Sequence, residues 1–178
     1  MLIQKYQESW ENDFCVINKL IRKALSNIDI DIEHIGSTSV KNLAAKPIID
    51  IDIVYNNAKS FDNIKLGLVQ IGYFHNGDQG IKGREVFKRK DKKHSILDSI
   101  QHHLYVCQSN SVELHRHLSF RDYLRNNEKE RKEYEAIKYK IAEKANQNQK
   151  KYAKMKEIAA KEFINSIIEK QQKNQNQI

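Results

Sequence analysis

IGSTSVKNLAAKPIIDIDIVY, running from Ile35 to Tyr55, is the stretch that decides how the chain is read. It opens on a Gly-Ser turn, passes through a short helical or looped piece, and closes in a strand carrying two acids. In that strand Ile49, Ile51 and Ile53 share one face by the period of two, and Asp50 and Asp52 share the other. Two carboxylates so spaced have Cα atoms roughly 6.5–7 Å apart. Burial and mutual repulsion both oppose keeping such a pair ionised in an apolar strand. A divalent cation removes that conflict, and Mg2+ favours one or two carboxylates together with substrate phosphates. Gly36 permits close approach of a backbone or a phosphate, while Ser37 and Thr38 add hydroxyls and amides. A solvated strand edge shows the same Asp-x-Asp pattern, so the acids alone leave both readings open.

Working outward, Ile30 to Ile35 reads as a short strand feeding the turn, and Pro47 fits the start of the acidic strand, where a missing donor does least harm. Lys46 either points a cation toward the carboxylates or sits in a solvated turn. Upstream, Trp10, Phe14, Ile17, Ile21 and Leu25 recur at helical spacing and predict an amphipathic helix over Tyr6 to Ser26. Downstream, Phe61, Ile64, Leu68 and Ile71 predict a second helix over Ser60 to Ile71, ended by Gly72 and followed by extended Tyr73-Phe74. His75 to Gly83 holds three of the six glycines and reads as a polar loop. A strand with Arg84, Val86, Phe87, Lys88 and Arg89 follows, and Asp91 to Ser99 reads as a hairpin connection.

Gln101 to Cys107, QHHLYVC, is a further core strand, with His103, Tyr105 and Cys107 on one face and His102, Leu104 and Val106 on the other. From Ser111 the chain is expected to be helical. Leu114, Leu118, Arg121 and Leu124 bracket one face, so Arg116 and Arg121 reach the cleft, or Arg121 forms a buried ion pair with Asp122. Asn126 and Asn127 break this helix. Two more amphipathic helices follow, Glu128 to Glu143 and Gln149 to Glu169, with Tyr134, Ile137, Ile141, Tyr152, Met155, Ile158, Phe163 and Ile167 as packing residues. The polar segment Gln171 to Ile178 is expected to fray.

With 178 residues the chain has the length of one ordinary domain. Its formal charge of +8 favours anionic partners such as nucleotides or nucleic acid, although much of the excess lies on C-terminal helix faces. Cys15 and Cys107 match no metal spacing and read as free thiols. No apolar run approaches the roughly 20 residues of a membrane helix, and Gln4, Lys5, Gln7 and Glu8 interrupt any signal-peptide core. The expectation is a soluble cytoplasmic protein with no membrane partner.

Gly36-Ser37, twelve intervening residues and Asp50-Ile51-Asp52 in a hydrophobic run resemble the signature of the nucleotidyltransferase superfamily that includes DNA polymerase β. The fuller string from Glu33 through Val40 and from Leu43 to Asp50 resembles the GrpB family, a branch whose members also occur fused to dephospho-CoA kinase. Gly83-Arg84 followed by Phe87-Lys88-Arg89 is similar to that family's Gly-Arg … Phe-Arg-Lys segment. Glu113 to Leu124 is similar to its Arg-His-Leu … Phe-Arg-Asp-Tyr-Leu block, and Tyr134 … Lys138 and Tyr152 … Lys156 to its Tyr-x3-Lys spacings. Lys138 reads either as part of an anion site or as a solvated lysine. Two departures stand out: Lys41-Asn42 replaces a usual Pro-Gly, where Asn suits a left-handed turn, and Glu85 follows Arg84 where a second basic residue is common.

The resemblance covers roughly residues 5 to 170 and implies one nucleotidyltransferase-like α/β (α+β) domain over residues 1–170. Its sheet is mixed and mostly antiparallel, packed on helices, with an α/β core (1–110), C-terminal helices (111–170) and a polar tail (171–178). It implies Mg2+- or Mn2+-dependent transfer of a nucleotidyl group from a nucleoside triphosphate to an unidentified acceptor. Asp50 and Asp52 would hold the metal and Gly36, Ser37 and Thr38 the phosphates, with Lys46, Arg84 and Arg121 offsetting charge. Polymerase-type members carry a third carboxylate on the strand that here reads Gln101 to Cys107. That slot falls to a histidine, for which His103 is chosen over His102 as ligand, base or phosphate contact, beside the alternative of a hydrogen-bonded structural imidazole. The absent third acid keeps a second reading open: a non-catalytic module binding a nucleotide or CoA-like ligand, or assisting a partner enzyme. Nucleic-acid binding through the basic helices is less favoured, because the aromatics fall on packing faces.

Overall fold

Five strands form one sheet because their apolar residues alternate: β1 (Ile30–Ile35), β2 (Ile49–Tyr55), β3 (Tyr73–His75), β4 (Glu85–Arg89) and β5 (His102–Gln108). The computed structural model describes residues 1–90, 94–159 and 161–175. The spatial order is β1-β2-β5-β4-β3. β2 and β5 run parallel, and every other neighbouring pair is antiparallel. This is the mixed, mostly antiparallel sheet expected above.

Around it lie α1 (Ser9–Ala24), α2 (Ser60–Gln70), α3 (Ser95–Ser99), α4 (Val112–Asn126), α5 (Glu128–Lys144), α6 (Gln149–Ala159) and α7 (Lys161–Gln175). α1 and α2 cover the isoleucine face. Trp10, Ile17, Ile21, Ile64 and Leu68 pack there with Ile49, Ile51, Ile53, Leu104 and Val106 in one buried cluster. Burying each aliphatic side chain of that kind contributes about 1.5–3 kcal/mol relative to exposure. The opposite face, which carries the acids, is not left to solvent. Leu114 of α4 packs on Val54 and Cys107, and α4 and α5 close over Val40 and Leu43 through Leu124 and Tyr134.

Asn42 has φ 62°, the left-handed turn that its replacement of glycine requires. Both cysteines are free thiols, Cys15 exposed and Cys107 buried. Two elements differ from expectation. The connection over Asp91 to Ser99 contains α3, because Leu97 is buried and Asp98 pairs with Arg89 at 2.8 Å; residues 91–93 lie outside the described residues. The helix expected over Gln149 to Glu169 is helical on both sides of residue 160, which lies outside the described residues; its first part, α6, packs along α5 and its second, α7, along α4. Ile158, expected to pack, is 69% exposed. α7 also continues to Gln175, into the segment expected to fray; residues 176–178 lie outside the described ones. Among the described residues no helix is long and apolar enough to cross a membrane.

Candidate functional site

The site is built by register. Ile35 pairs with Asp50 across β1 and β2, and Asp50 pairs with His103 across β2 and β5. The end of β1, the first acid and the histidine therefore stand in one row on one face of the sheet. Gly36 then turns the chain with φ 70° and ψ −170° into a 3-10 turn over Ser37–Ser39. This row forms the floor of a cavity of about 550 Å3, walled by α4, α5, α6 and α7 and lined by Gly36, Ser37, Thr38, Lys46, Asp50, Arg84 and His103 among others. Seven of the residues expected at the site thus share one cavity. Asp52 and Arg121 do not line it.

Asp50 is partly exposed, and its Oδ1 lies 2.8 Å from Nδ1 of the half-exposed His103. His102 is on the other face, its Nε2 2.5 Å from the Tyr73 hydroxyl and its Nδ1 2.7 Å from the Ile100 carbonyl. Asp52 is fully buried. Its Oδ2 accepts a 2.8 Å hydrogen bond from Nδ1 of His117, and the Cys107 thiol lies 4.0 Å from its Oδ1. Nε2 of His117 in turn faces Glu113 Oε1 at 3.4 Å. Burial opposes the charge of His117, but hydrogen bonds to Asp52 and Glu113 overcome it and raise its pKa to about 9. The same hydrogen bond, first among several causes, holds the Glu113 carboxyl below its usual range.

The hydroxyls of the turn are engaged inside the protein. Buried Thr38 donates to the Ile48 carbonyl at 3.3 Å and sits 3.1 Å from His34 Nε2. With its proton so committed, Thr38 accepts from His34 and fixes the Nε2–H tautomer. His34, stacked on Phe14, is pushed down to about 4, chiefly by burial, and stays neutral. Ser37 Oγ accepts from Lys138 Nζ at 3.3 Å, and the same ammonium donates to the Ala44 carbonyl. Lys138 is 1% exposed, so it is not the solvated lysine its surroundings in the sequence allowed. Burial, then Lys156, pushes its pKa well below the ordinary lysine value.

Further cations reach the cavity from several elements. Lys46 lies over the Tyr152 ring at 4.9 Å and Arg84 over the Tyr105 ring at 4.8 Å. Arg84 Nε is buried and has no hydrogen-bond partner among the described residues. Arg116 donates to Asn165 Oδ1 at 3.3 Å and lies 3.9 Å from Glu113. Lys156, which the sequence did not single out for the site, also lines it, and Tyr134 leads the interactions that favour its charge. Arg121 is committed elsewhere. It donates to Glu33 at 2.6 Å, to the His34 carbonyl at 3.1 Å and to Asp122 at 2.7 Å, tying α4 to β1 as the ion-pair reading allowed. Glu113 and His117 were also missed; their one signal is the i, i+4 spacing that puts an acid and an imidazole on one helix face.

A divalent ion bridging Asp50 and Asp52 does not fit this arrangement. Asp52 is buried and faces the cation His117, so of the two carboxylates only Asp50 opens to the cavity. Among the described residues no group of three or more His, Cys, Asp or Glu is disposed to hold an ion.

The strand order and the Gly-Ser turn leading to the acidic strand define a nucleotidyltransferase-like fold. A MgATP-bound structure of Cid1 poly(U) polymerase shares it with TM-score 0.58 and 14% identity, over 83% of this chain and 46% of that one, a likeness of fold alone. The chain belongs to the GrpB family, whose model, described as GrpB protein, matches residues 1–170. The glutamate-rich protein GrpB of Alkalihalophilus pseudofirmus is 31% identical over 171 residues, 94% of each chain. YqkA of Bacillus subtilis is 34% identical over 137 residues, which are 77% of this chain and 38% of that protein's length. A crystal structure of GrpB from Enterococcus faecalis matches with TM-score 0.78 and 31% identity, over 97% of this chain and 98% of that one.

Proposed function

We propose that this protein binds a nucleoside triphosphate, as its Mg2+ or Mn2+ complex, in the cavity beside Gly36 and transfers the nucleotidyl group to an acceptor hydroxyl or phosphate in the cytoplasm. One observation carries the reading: Lys46, Arg84, Arg116 and Lys156 converge, with the buried Lys138 amine behind Ser37, on a cavity whose only lining carboxylates among the described residues are Asp50 and Glu113. That excess of positive charge suits a polyphosphate. The cavity volume of about 550 Å3 falls within the roughly 300–1,000 Å3 of small-molecule sites. Phe120, Tyr152, Ile164 and Ile168 supply an apolar wall for a base. Arg84 Nε, buried and without a partner among the described residues, would find one in a phosphate oxygen.

In this reading the first amides of the Ser37–Ser39 turn, which have no acceptor within the turn, would donate to phosphate oxygens. Lys46 and Arg84 would offset the charge that grows on the leaving pyrophosphate. His103, half-exposed beside Asp50, would take the acceptor's proton or contact a phosphate. The divalent ion belongs to the incoming nucleotide, and Asp50 is the acid open to it.

Titration calorimetry with ATP and a non-hydrolysable analogue, with and without Mg2+, tests the binding. Release of pyrophosphate from labelled triphosphate, screened over small hydroxyl and phosphate acceptors, tests the transfer. Absence of binding under every condition would refute the reading. A second reading, binding of a nucleotide or CoA-like ligand without transfer, is favoured by the engagement of Asp52 with His117. Tight binding with no turnover for any acceptor would select it.

A further inference from the structure

The Ser37–Ser39 turn borders a second cavity, also of about 550 Å3. Ser37 and Thr38 line the first cavity, Thr38 and Ser39 the second. Lys41, Arg125 and Arg131 line the second against a single carboxylate among the described residues, Glu11. Both guanidiniums are held by backbone carbonyls. Arg125 donates to Ser39 O from Nε at 3.2 Å and from a terminal nitrogen at 3.0 Å. Arg131 donates to the Leu124 and Arg125 carbonyls at 3.1 and 3.3 Å. A carbonyl orients a guanidinium without neutralising it. Asp122, 3.6 Å from Arg125, is already bonded through both oxygens to Arg121. Tyr6 and Phe14, partly buried against the core, give the same cavity an apolar wall.

We propose that this second cavity binds a phosphorylated small molecule, its phosphate on Arg125, Arg131 and Lys41 and its flat or apolar part on Tyr6 and Phe14. Three cations less one carboxylate leave a charge of +2 along the lining. A phosphate monoester, at about −1.5 to −2 near pH 7, offsets that charge, whereas a lone carboxylate offsets half of it. Guanidinium forks match phosphate oxygens in geometry as well as in charge. The volume lies within the roughly 300–1,000 Å3 of small-molecule sites. The inference stands on this cavity's own lining and not on the nucleotide reading of the first, and its test keeps the two apart.

Cys15 is exposed and lines this cavity, so it serves as the reporter, while Cys107 is buried. Mass spectrometry follows the rate at which N-ethylmaleimide alkylates Cys15 with AMP or adenosine present. For a Kd in the roughly millimolar range, AMP at about 10 mM should slow the reaction about tenfold. Adenosine, which lacks the phosphate, should protect far less. Lys41→Gln combined with Arg131→Gln should abolish the protection by AMP. Arg84→Gln, which alters the first cavity, should leave it intact. An unchanged rate with AMP overturns the proposal, and so does equal protection by adenosine. Protection that survives the double variant, or that is lost in Arg84→Gln, overturns it as well. Should the double variant fail to fold, Lys41→Gln alone, at an exposed residue, decides: weakened protection upholds the proposal and parent-like protection overturns it.

Discussion

Gly36 and Asp50 are so close that a methyl group added to Gly36 would stand 2.4 Å from Asp50 Oδ2. Pairing of Ile35 with Asp50 brings the carboxylate beneath the turn as the chain leaves β1. The backbone at Gly36, φ 70° and ψ −170°, lies in a region that is essentially glycine's alone. Gly36→Ala should therefore cost about 1–3 kcal/mol in urea denaturation from backbone strain alone. It should also weaken triphosphate binding by moving Asp50. Parent-like stability and affinity in this variant would show that the turn relaxes without disturbing the acid.

The two acids of β2 should differ sharply when removed. Asp50 and His103 are both partly exposed, at 28% and 54% of their side chains, and such pairs are worth about 1 kcal/mol or less. Asp50→Asn should leave the unfolding midpoint nearly unchanged while reducing the Mg2+ dependence of nucleotide binding. Asp52→Ala leaves the His117 imidazolium without its buried partner and should cost about 3–5 kcal/mol. Chemical denaturation at neutral pH measures both; equal losses would contradict the assignment of Asp52 to a structural pair.

Arg84 and Arg121 offer a matched comparison. Arg84 Nε has no protein partner among the described residues, so Arg84→Gln should lower triphosphate affinity by about tenfold or more, the worth of a charge-assisted hydrogen bond, with little change in melting temperature. Arg121 is bonded to Glu33, the His34 carbonyl and Asp122, so Arg121→Gln should destabilise the fold and affect binding only through that loss. Calorimetry and melts on the two variants should give opposite patterns.

The raised pKa of His117 makes a prediction with a definite sign. A folded-state pKa of about 9 against an unfolded value near 6.5 means the folded protein holds the proton more tightly. The resulting stabilisation, up to about 3 kcal/mol at roughly 1.4 kcal/mol per pH unit, is fully present below about pH 6.5. It is lost as pH rises through 9. His34 works the other way: pushed down to about 4, it stabilises above about pH 6.5 and its contribution is lost as pH falls toward 4. Denaturation midpoints across this range should peak near pH 6.5, and His117→Gln should flatten the alkaline limb.

Local pattern alone determined much of this protein. Alternation of Ile49, Ile51 and Ile53 with Asp50 and Asp52 assigns both faces of β2, and alternation in β5 separates His103 from His102, because side chains on a strand point to opposite sides residue by residue. Glycine's conformational freedom marks the turn at Gly36, and asparagine's tolerance of positive φ marks Asn42. The tertiary structure decided what covers the acidic face. No periodicity in β2 tells that α4, about 60 residues later, lays His117 on Asp52, or that Arg121 on the same helix is taken up by Glu33 of β1. Nor does a lysine's position in an amphipathic helix tell that Lys138 ends behind Ser37, 1% exposed. Alternation specifies which way a side chain points. Its charge, solvation and partner depend on which distant segment packs there, and that is set by burial of apolar surface across the whole chain.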